Sequence, residues 1–140
     1  MWILWREESR QTKSPSDKSM KLRSDPRHLK RIKLMQNLFT WNFRPEKKPS
    51  KGIANIVSHL KKIDGLIAKS APDRPIGEIN KIDLAILRLS VFEMIIKKEA
   101  PPKVIIDEAV ELGKEYGSDS SPGFINGALG KLVALKKIKT

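Results

Sequence analysis

The sequence predicts an all-α fold, a single-domain bundle of about five to six helices. Apolar residues recur at intervals of three and four positions through several segments, which is the spacing of one helix face. Prolines and glycines separate these segments, and no run shows the every-second-residue alternation of a half-buried strand. The length of 140 residues is also that of one domain with its own core.

The first predicted helix begins at Asp25-Pro26 and runs to about Trp41. Aspartate is a favoured N-cap, and proline suits the first helical turn because its missing N–H has no partner there. One face carries the apolar residues Leu29, Ile32, Met35, Phe39 and Phe43. Cations occupy a different arc of the first two turns, namely Arg27, Lys30 and Arg31.

Two more helices follow a loop over residues 44–52, which contains two prolines. The spacing of apolar residues predicts one continuous amphipathic helix from Ile53 to Ile67. Residues 71–75 end it, and Asn80 can then cap a helix over residues 81–98. Because this helix is apolar on nearly all sides, we expect it to be the buried centre of the bundle.

The last two helices are marked by their own start and stop residues. Pro101-Pro102 opens one helix, for which Gly117 is the expected C-cap, and Ser121-Pro122 opens the other. Asn126-Gly127 lies within the last helical pattern, where a glycine predicts a close-packing point.

Positive charge is concentrated at the start of the chain. Lysine and arginine total 28 against 16 acidic residues, a net charge of +12 and a pI near 10.0. Residues 1–48 hold 13 of these cations against five acids, so eight of the twelve net charges lie in the first third. A localised basic region predicts binding to a polyanion, most simply a nucleic acid.

Catalytic and metal-binding patterns are missing from the sequence. The chain contains no cysteine, and neither a glycine-rich phosphate loop nor a nucleophile elbow occurs. His28 and His59 are predicted to be solvated on basic helix faces, and the adjacent Asp107-Glu108 to be solvated charge. We therefore expect no enzymatic activity, no cofactor and no metal.

The sequence shows no membrane anchor, since no segment has 18 consecutive apolar residues. Together with the lack of cysteine, this predicts a cytoplasmic protein. Residues 1–22 are rich in serine and charge without helical periodicity, so we expect a flexible basic arm before a helical domain over residues 23–138.

Three stretches resemble the NusB family of small helical factors in bacterial transcription antitermination. They are Ile79-Asn80-Lys81-Ile82-Asp83-Leu84-Ala85-Ile86-Leu87-Arg88, Pro101-Pro102-Lys103-Val104-Ile105-Ile106-Asp107-Glu108-Ala109, and Phe124-Ile125-Asn126-Gly127-Ala128-Leu129. The resemblance extends more weakly to residues 20–135. It implies RNA binding without catalysis, and it suggests that translation starts at Met20.

The candidate RNA-binding residues are cations and rings. Arg23, Arg27, Lys30 and Arg31 can neutralise phosphates, and Phe39 and Phe124 are candidates for stacking on bases. The resemblance implies RNA contact for Arg27, Arg31, Phe39 and Phe124. Phenylalanine replaces the family's usual tyrosine at position 39, and Gly123 replaces a lysine.

The resemblance also implies partners. NusB-like proteins bind boxA-type single-stranded RNA together with the ribosomal protein NusE, and so act indirectly on the RNA polymerase elongation complex. Asp83 matches an acidic residue of the interface with NusE, and we expect Phe43 to be an apolar neighbour there. The family usually has a further helix where this chain has only the loop over residues 44–52, so we expect a shorter bundle.

Two alternatives remain open from the sequence. NusB-like domains also precede ribosomal RNA cytosine methyltransferases, where they help to bind substrate. The other alternative is a module that binds only proteins, because it has lost its RNA affinity together with the missing helix.

Overall fold

The computed structural model describes residues 25–138, which form six α-helices. These are α1 (Pro26–Asn42), α2 (Ala54–Ser58), α3 (Leu60–Ser70), α4 (Lys81–Val91), α5 (Pro102–Tyr116) and α6 (Ser121–Leu135). A short 3₁₀ turn, Ile76–Glu78, precedes α4, and a π-helical segment, Phe92–Lys97, continues it. The all-α prediction is confirmed. The predicted arm over residues 1–22, the start at Met20 and Arg23 lie outside the described residues.

Helix α1 begins as its capping residues predict. The Asp25 side chain accepts a hydrogen bond from the Arg27 backbone N–H at 2.8 Å, and Pro26 occupies the first turn. The helix ends at Asn42, one residue beyond the prediction. The connection over residues 43–53 consists of turns and extended chain, which agrees with the expected loop.

The predicted helix from Ile53 to Ile67 is two helices, so that prediction is wrong at its centre. The chain bends between α2 and α3 at His59. There the Ser58 hydroxyl donates to the Asn55 carbonyl oxygen at 2.7 Å, and His59 Nδ1 lies 2.8 Å from the same oxygen. Side chains that bond a backbone carbonyl in this way compete with the helical ladder.

Helix α4 is the centre of the bundle, as predicted. The Asn80 side chain caps it by accepting from the N–H groups of Ile82 and Asp83, and every residue from 83 to 91 is buried. Helices α1, α3, α5 and α6 all pack against it. Within residues 25–138, no helix is long and apolar enough to cross a bilayer.

Helices α5 and α6 pack closely because two glycines face the turn between them. A Cβ atom on Gly117 would overlap the Ser121 hydroxyl, and one on Gly113 would lie 2.9 Å from Ile125 Cδ1. The expected close-packing point at Gly127 is wrong, because a Cβ there would meet no atom within 4 Å. Gly127 lies on the exposed face of α6, which helical periodicity alone did not distinguish from the packed face.

Candidate nucleic-acid interface

The start of α1 presents two exposed cations. The Arg27 side chain is 83% exposed and pairs with Asp25, its Nη2 lying 3.0 Å from Oδ2. This guanidinium lowers the pKa of the Asp25 carboxyl. Lys30 is also exposed and forms no ion pair within residues 25–138. Exposed ion pairs such as Asp25–Arg27 are weak, so Arg27 can leave Asp25 to bind a phosphate. Lys30 can bind a phosphate without breaking an ion pair within residues 25–138.

Arg31 is held in a different way from Arg27 and Lys30. Its Nε and Nη2 donate to both carboxylate oxygens of Glu93 at 2.8–3.1 Å, and its side chain is only 11% exposed. Such a bidentate pair fixes α1 against the π-helical segment. Arg31 is therefore held by Glu93 in this structure, and its contact with a phosphate stays a prediction.

A groove of about 480 Å³ lies beside these cations, between the start of α1, the π-helical segment and the start of α5. We call it the α1 groove. Its apolar lining includes Leu34, Phe92 and Val104, and its charged lining includes Lys97 with Arg27 and Lys30. Lys97, which no sequence motif indicated, lies 3.5 Å from Glu99 in an ion pair. Four carboxylates also line the groove and equal its cations in number, namely Asp25, Glu93, Glu99 and Glu108. Arg27 and Lys30 are the exposed cations of α1 in this lining, so they are the groups that a phosphate could reach there.

The stacking candidate Phe39 lies near the other end of α1. It is half-buried, and its ring meets that of Phe43 edge-to-face, with centroids 5.0 Å apart and planes at 74°. Twelve residues separate it from Arg27, which corresponds to about 18 Å along a helix axis. Phe43 is 58% exposed, so the pair has one sheltered ring and one open ring.

The stacking candidate Phe124 lies in the first turn of α6 under an arginine. It is half-buried, and the Arg74 guanidinium carbon lies 4.0 Å from its ring centroid. One face of the ring is therefore covered by a cation, which is a favourable arrangement. The contact of Arg74 was not predicted, because residues 71–75 indicated only the end of a helix. Phe39 and Phe124 thus belong to separate local clusters on different helices.

Asp83, the proposed partner residue, is 2% exposed. Burial raises the pKa of its carboxyl, while a hydrogen bond with Ser121 and the charge of Arg74 oppose that rise. Its Oδ1 is buried and has no hydrogen-bond partner within residues 25–138. The carboxylate faces the start of α6, so its burial does not support direct contact with a protein partner.

The solvated positions expected for His28 and Glu108 are wrong. His28 is fully buried, its Nδ1 lies 2.6 Å from Glu108 Oε2, and its Nε2 lies 3.4 Å from Glu115 Oε1. The second distance is long for a hydrogen bond, so that contact is mainly electrostatic. Burial alone would lower the pKa of His28, but the two carboxylates raise it to about 9. The sequence did indicate the burial of His28, because this residue lies on the same helix face as the apolar residues Ile32 and Met35.

Comparison with known proteins identifies the family. The model of the NusB family matches residues 50–134. The transcription antitermination protein NusB of Roseiflexus castenholzii is 47% identical over 78 residues, covering 54% of this chain and 55% of the relative. That of Acetivibrio thermocellus is 43% identical over 84 residues, covering 60% and 58%. The chain therefore spans little more than half the length of these curated relatives.

The fold agrees with that of a solved structure. T. maritima NusB superposes with a TM-score of 0.69 at 26% identity, covering 79% of this chain and 92% of the other. The superposed 79% of this chain is more than residues 50–134 alone, so the structural likeness extends beyond the segment that the family model matches. The chain belongs to the NusB family.

Proposed function

We propose that this protein binds boxA-type single-stranded RNA, without catalysis, as part of a transcription antitermination complex. In this proposal NusE is its protein partner, and the RNA polymerase elongation complex is reached indirectly. The curated relatives are named transcription antitermination proteins, which supports the role. The fold is also similar to that of T. maritima NusB, and this similarity extends beyond the segment that the family model matches.

The observation that carries the proposal is the exposed pair of cations at the rim of the α1 groove. Arg27 and Lys30 lie on a fixed helix, and both line the α1 groove next to its apolar residues. Phosphate contacts of this kind supply affinity and depend steeply on salt. The partly buried pair Arg31–Glu93 holds α1 against the π-helical segment, so that the cations keep their position beside the groove.

Base stacking is assigned to two places. The exposed part of Phe124, next to Arg74, offers a ring and a cation together. Phe39 offers its ring at the far end of α1, next to Phe43. Because these clusters lie on different helices, we propose that one RNA strand contacts them at separate nucleotides.

The partner surface is assigned to the exposed ring of Phe43. A phenylalanine that is 58% exposed on a basic surface is suited to bury itself against a protein. Asp83 contributes only indirectly in this proposal, by anchoring α4 against the start of α6.

A fluorescence-anisotropy titration with boxA RNA and a scrambled RNA, each with and without NusE, tests the proposal. We expect tighter binding to boxA RNA, and a further gain with NusE. The double variant Arg27→Gln/Lys30→Gln should lose about tenfold or more in affinity, whereas Lys131→Gln, an exposed lysine on α6, should lose little. Wild-type protein that binds neither RNA under any of these conditions would overturn the proposal.

The partner surface has its own test. Phe43→Ala should abolish the gain from NusE and leave binding to RNA alone within about twofold. An unchanged gain would remove Phe43 from the interface.

A further inference from the structure

A second groove, of about 450 Å³, lies on the other side of the connection between the π-helical segment and α5. Three lysines from three elements line it, namely Lys62 of α3, Lys98 at the end of the π-helical segment and Lys136 just after α6. Met94, Ile95 and Ile138 contribute apolar surface. We call it the lysine groove.

The lysine groove has no acidic residue in its lining. None of its three lysines forms an ion pair within residues 25–138. The α1 groove differs, because carboxylates such as Glu93, Glu99 and Glu108 accompany its cations. Convergent positive charges repel one another, and an anion placed between them removes that repulsion. The lysine groove is therefore the more strongly cationic of the two.

The backbone at this groove has an unusual feature. Lys98 has φ 54° and Lys137 has φ 50°, and within residues 25–138 these are the only non-glycine residues with positive φ. Each ends a helical segment, a position where glycine is normally preferred because a Cβ is disfavoured in the left-handed region. Lys98 lines the groove, and Lys137 lies between two lining residues, Lys136 and Ile138. Lysine thus stands at two strained positions beside one cationic groove.

The two grooves adjoin on either side of the connection between the π-helical segment and α5. Ala100 lines both of them, and the adjacent residues Lys97 and Lys98 belong to the α1 groove and the lysine groove respectively. A strand that leaves the α1 groove over Ala100 would therefore meet the second set of cations next.

We propose that the lysine groove binds backbone phosphates of the RNA strand that occupies the α1 groove. The inference rests on the proposed function and extends the RNA footprint by several nucleotides. Contacts to phosphates do not depend on sequence, so the groove would add affinity and orient the strand without reading bases.

The experiment uses two RNAs and two triple variants. One RNA is a six-nucleotide boxA-type core, and the other is the same core with six uridines added at each end. The test variant is Lys62→Gln/Lys98→Gln/Lys136→Gln. The control variant, Lys69→Gln/Lys81→Gln/Lys131→Gln, removes three exposed lysines outside both grooves and has the same net charge.

We expect wild-type protein to bind the extended RNA more tightly than the core. The test variant should lose about tenfold in affinity for the extended RNA, and the slope of log K against log salt should fall by about two, as for three phosphate contacts on a single strand. Its affinity for the core should stay within about twofold of wild type, and the control variant should retain the gain on extension.

Contrary results are distinguishable. An equal loss in the control variant, or full retention of the gain in the test variant, would overturn the lysine groove and leave RNA binding by the α1 groove intact. Wild-type protein that binds neither RNA would overturn the proposed function, and the inference with it. Lys98→Gly provides a second variant, because it removes the charge and relieves the strained backbone. A weaker affinity with an unchanged melting temperature would assign the loss to the missing charge, and an unchanged affinity would remove Lys98 from the RNA surface.

Discussion

His28 Nδ1 lies 2.6 Å from Glu108 Oε2, although 80 positions separate the two residues in the chain. This buried contact joins the first turn of α1 to the middle of α5, and Glu115 lies on the other side of the ring. It fixes the helix that carries Arg27 and Lys30 against the rest of the bundle. The candidate RNA surface therefore depends on a buried ion pair.

Stability should depend on pH through His28. Its pKa is raised from 6.5 to about 9 in the folded protein, so the folded state holds this proton more tightly than the unfolded state. The resulting stabilisation is fully present below pH 6.5 and is lost as pH rises through about 9. We expect the free energy of unfolding to fall by up to about 3 kcal/mol over that range. Urea denaturation at several pH values measures it.

The variant His28→Gln isolates this effect. It should be less stable at pH 6 and should lack most of the decline between pH 6.5 and 9. His59→Gln, at a partly exposed site outside the ion pair, is the control. A wild-type stability that stays flat over this range would contradict the assignment.

Arg88 should tolerate lysine poorly. It is 6% exposed, donates to both carboxylate oxygens of Asp64 at 2.9–3.0 Å, and donates to Asn42 Oδ1 at 2.9 Å. Lysine cannot supply this planar set of donors. We expect Arg88→Lys to lower the free energy of unfolding by about 1.5–3 kcal/mol. Urea denaturation should show almost no change for Arg44→Lys, an exposed arginine in the loop after α1.

Two glycines should respond to alanine in opposite directions. Gly127 lies on the exposed face of α6 with open space around it, so Gly127→Ala should stabilise the helix by about 1 kcal/mol. Gly117→Ala should destabilise the protein by about 1–3 kcal/mol, because the new Cβ would meet the Ser121 side chain and lie 2.8 Å from the Gly113 carbonyl oxygen. Thermal denaturation of both variants distinguishes them, and equal shifts would contradict the packing described for α5 and α6.

Replacement of Lys98 should separate stability from RNA binding. Glycine adopts φ 54° without steric cost, so Lys98→Gly should leave stability unchanged or raise it by up to about 1 kcal/mol. The same variant should bind extended RNA more weakly, since a cation of the lysine groove is gone. Melting temperature and RNA affinity, measured on one preparation, give both results. Destabilisation would show that Lys98 has a structural role instead.

Local signals explain which parts of the fold could be predicted. Asp25-Pro26 and Asn80 mark helix starts because capping depends on residues two or three positions apart. The bend at His59 was not predicted, because the apolar pattern runs through α2 and α3 without interruption. The hydrogen bonds to the Asn55 carbonyl oxygen at the bend do not alter that pattern.

The site was less predictable because its residues are paired across helices. A cation on a polar helix face is predicted to be exposed, but Arg31 is paired with Glu93, which lies 62 positions further along the chain. The cover of Arg74 over Phe124 and the burial of Asp83 also depend on how α6 packs. Exposure of Arg27 and Lys30 agrees with the basic arc expected for α1, and the role of these cations in RNA binding stays a prediction.

The salt dependence of RNA binding tests the central claim most directly. The slope of log K against log salt should be measured for the wild-type protein and for Arg27→Gln/Lys30→Gln with the same boxA RNA. Each phosphate contact on a single strand contributes about 0.7 to the slope, so the double variant should have a slope smaller by about 1.4. Equal slopes in the two proteins would show that RNA does not bind at the start of α1.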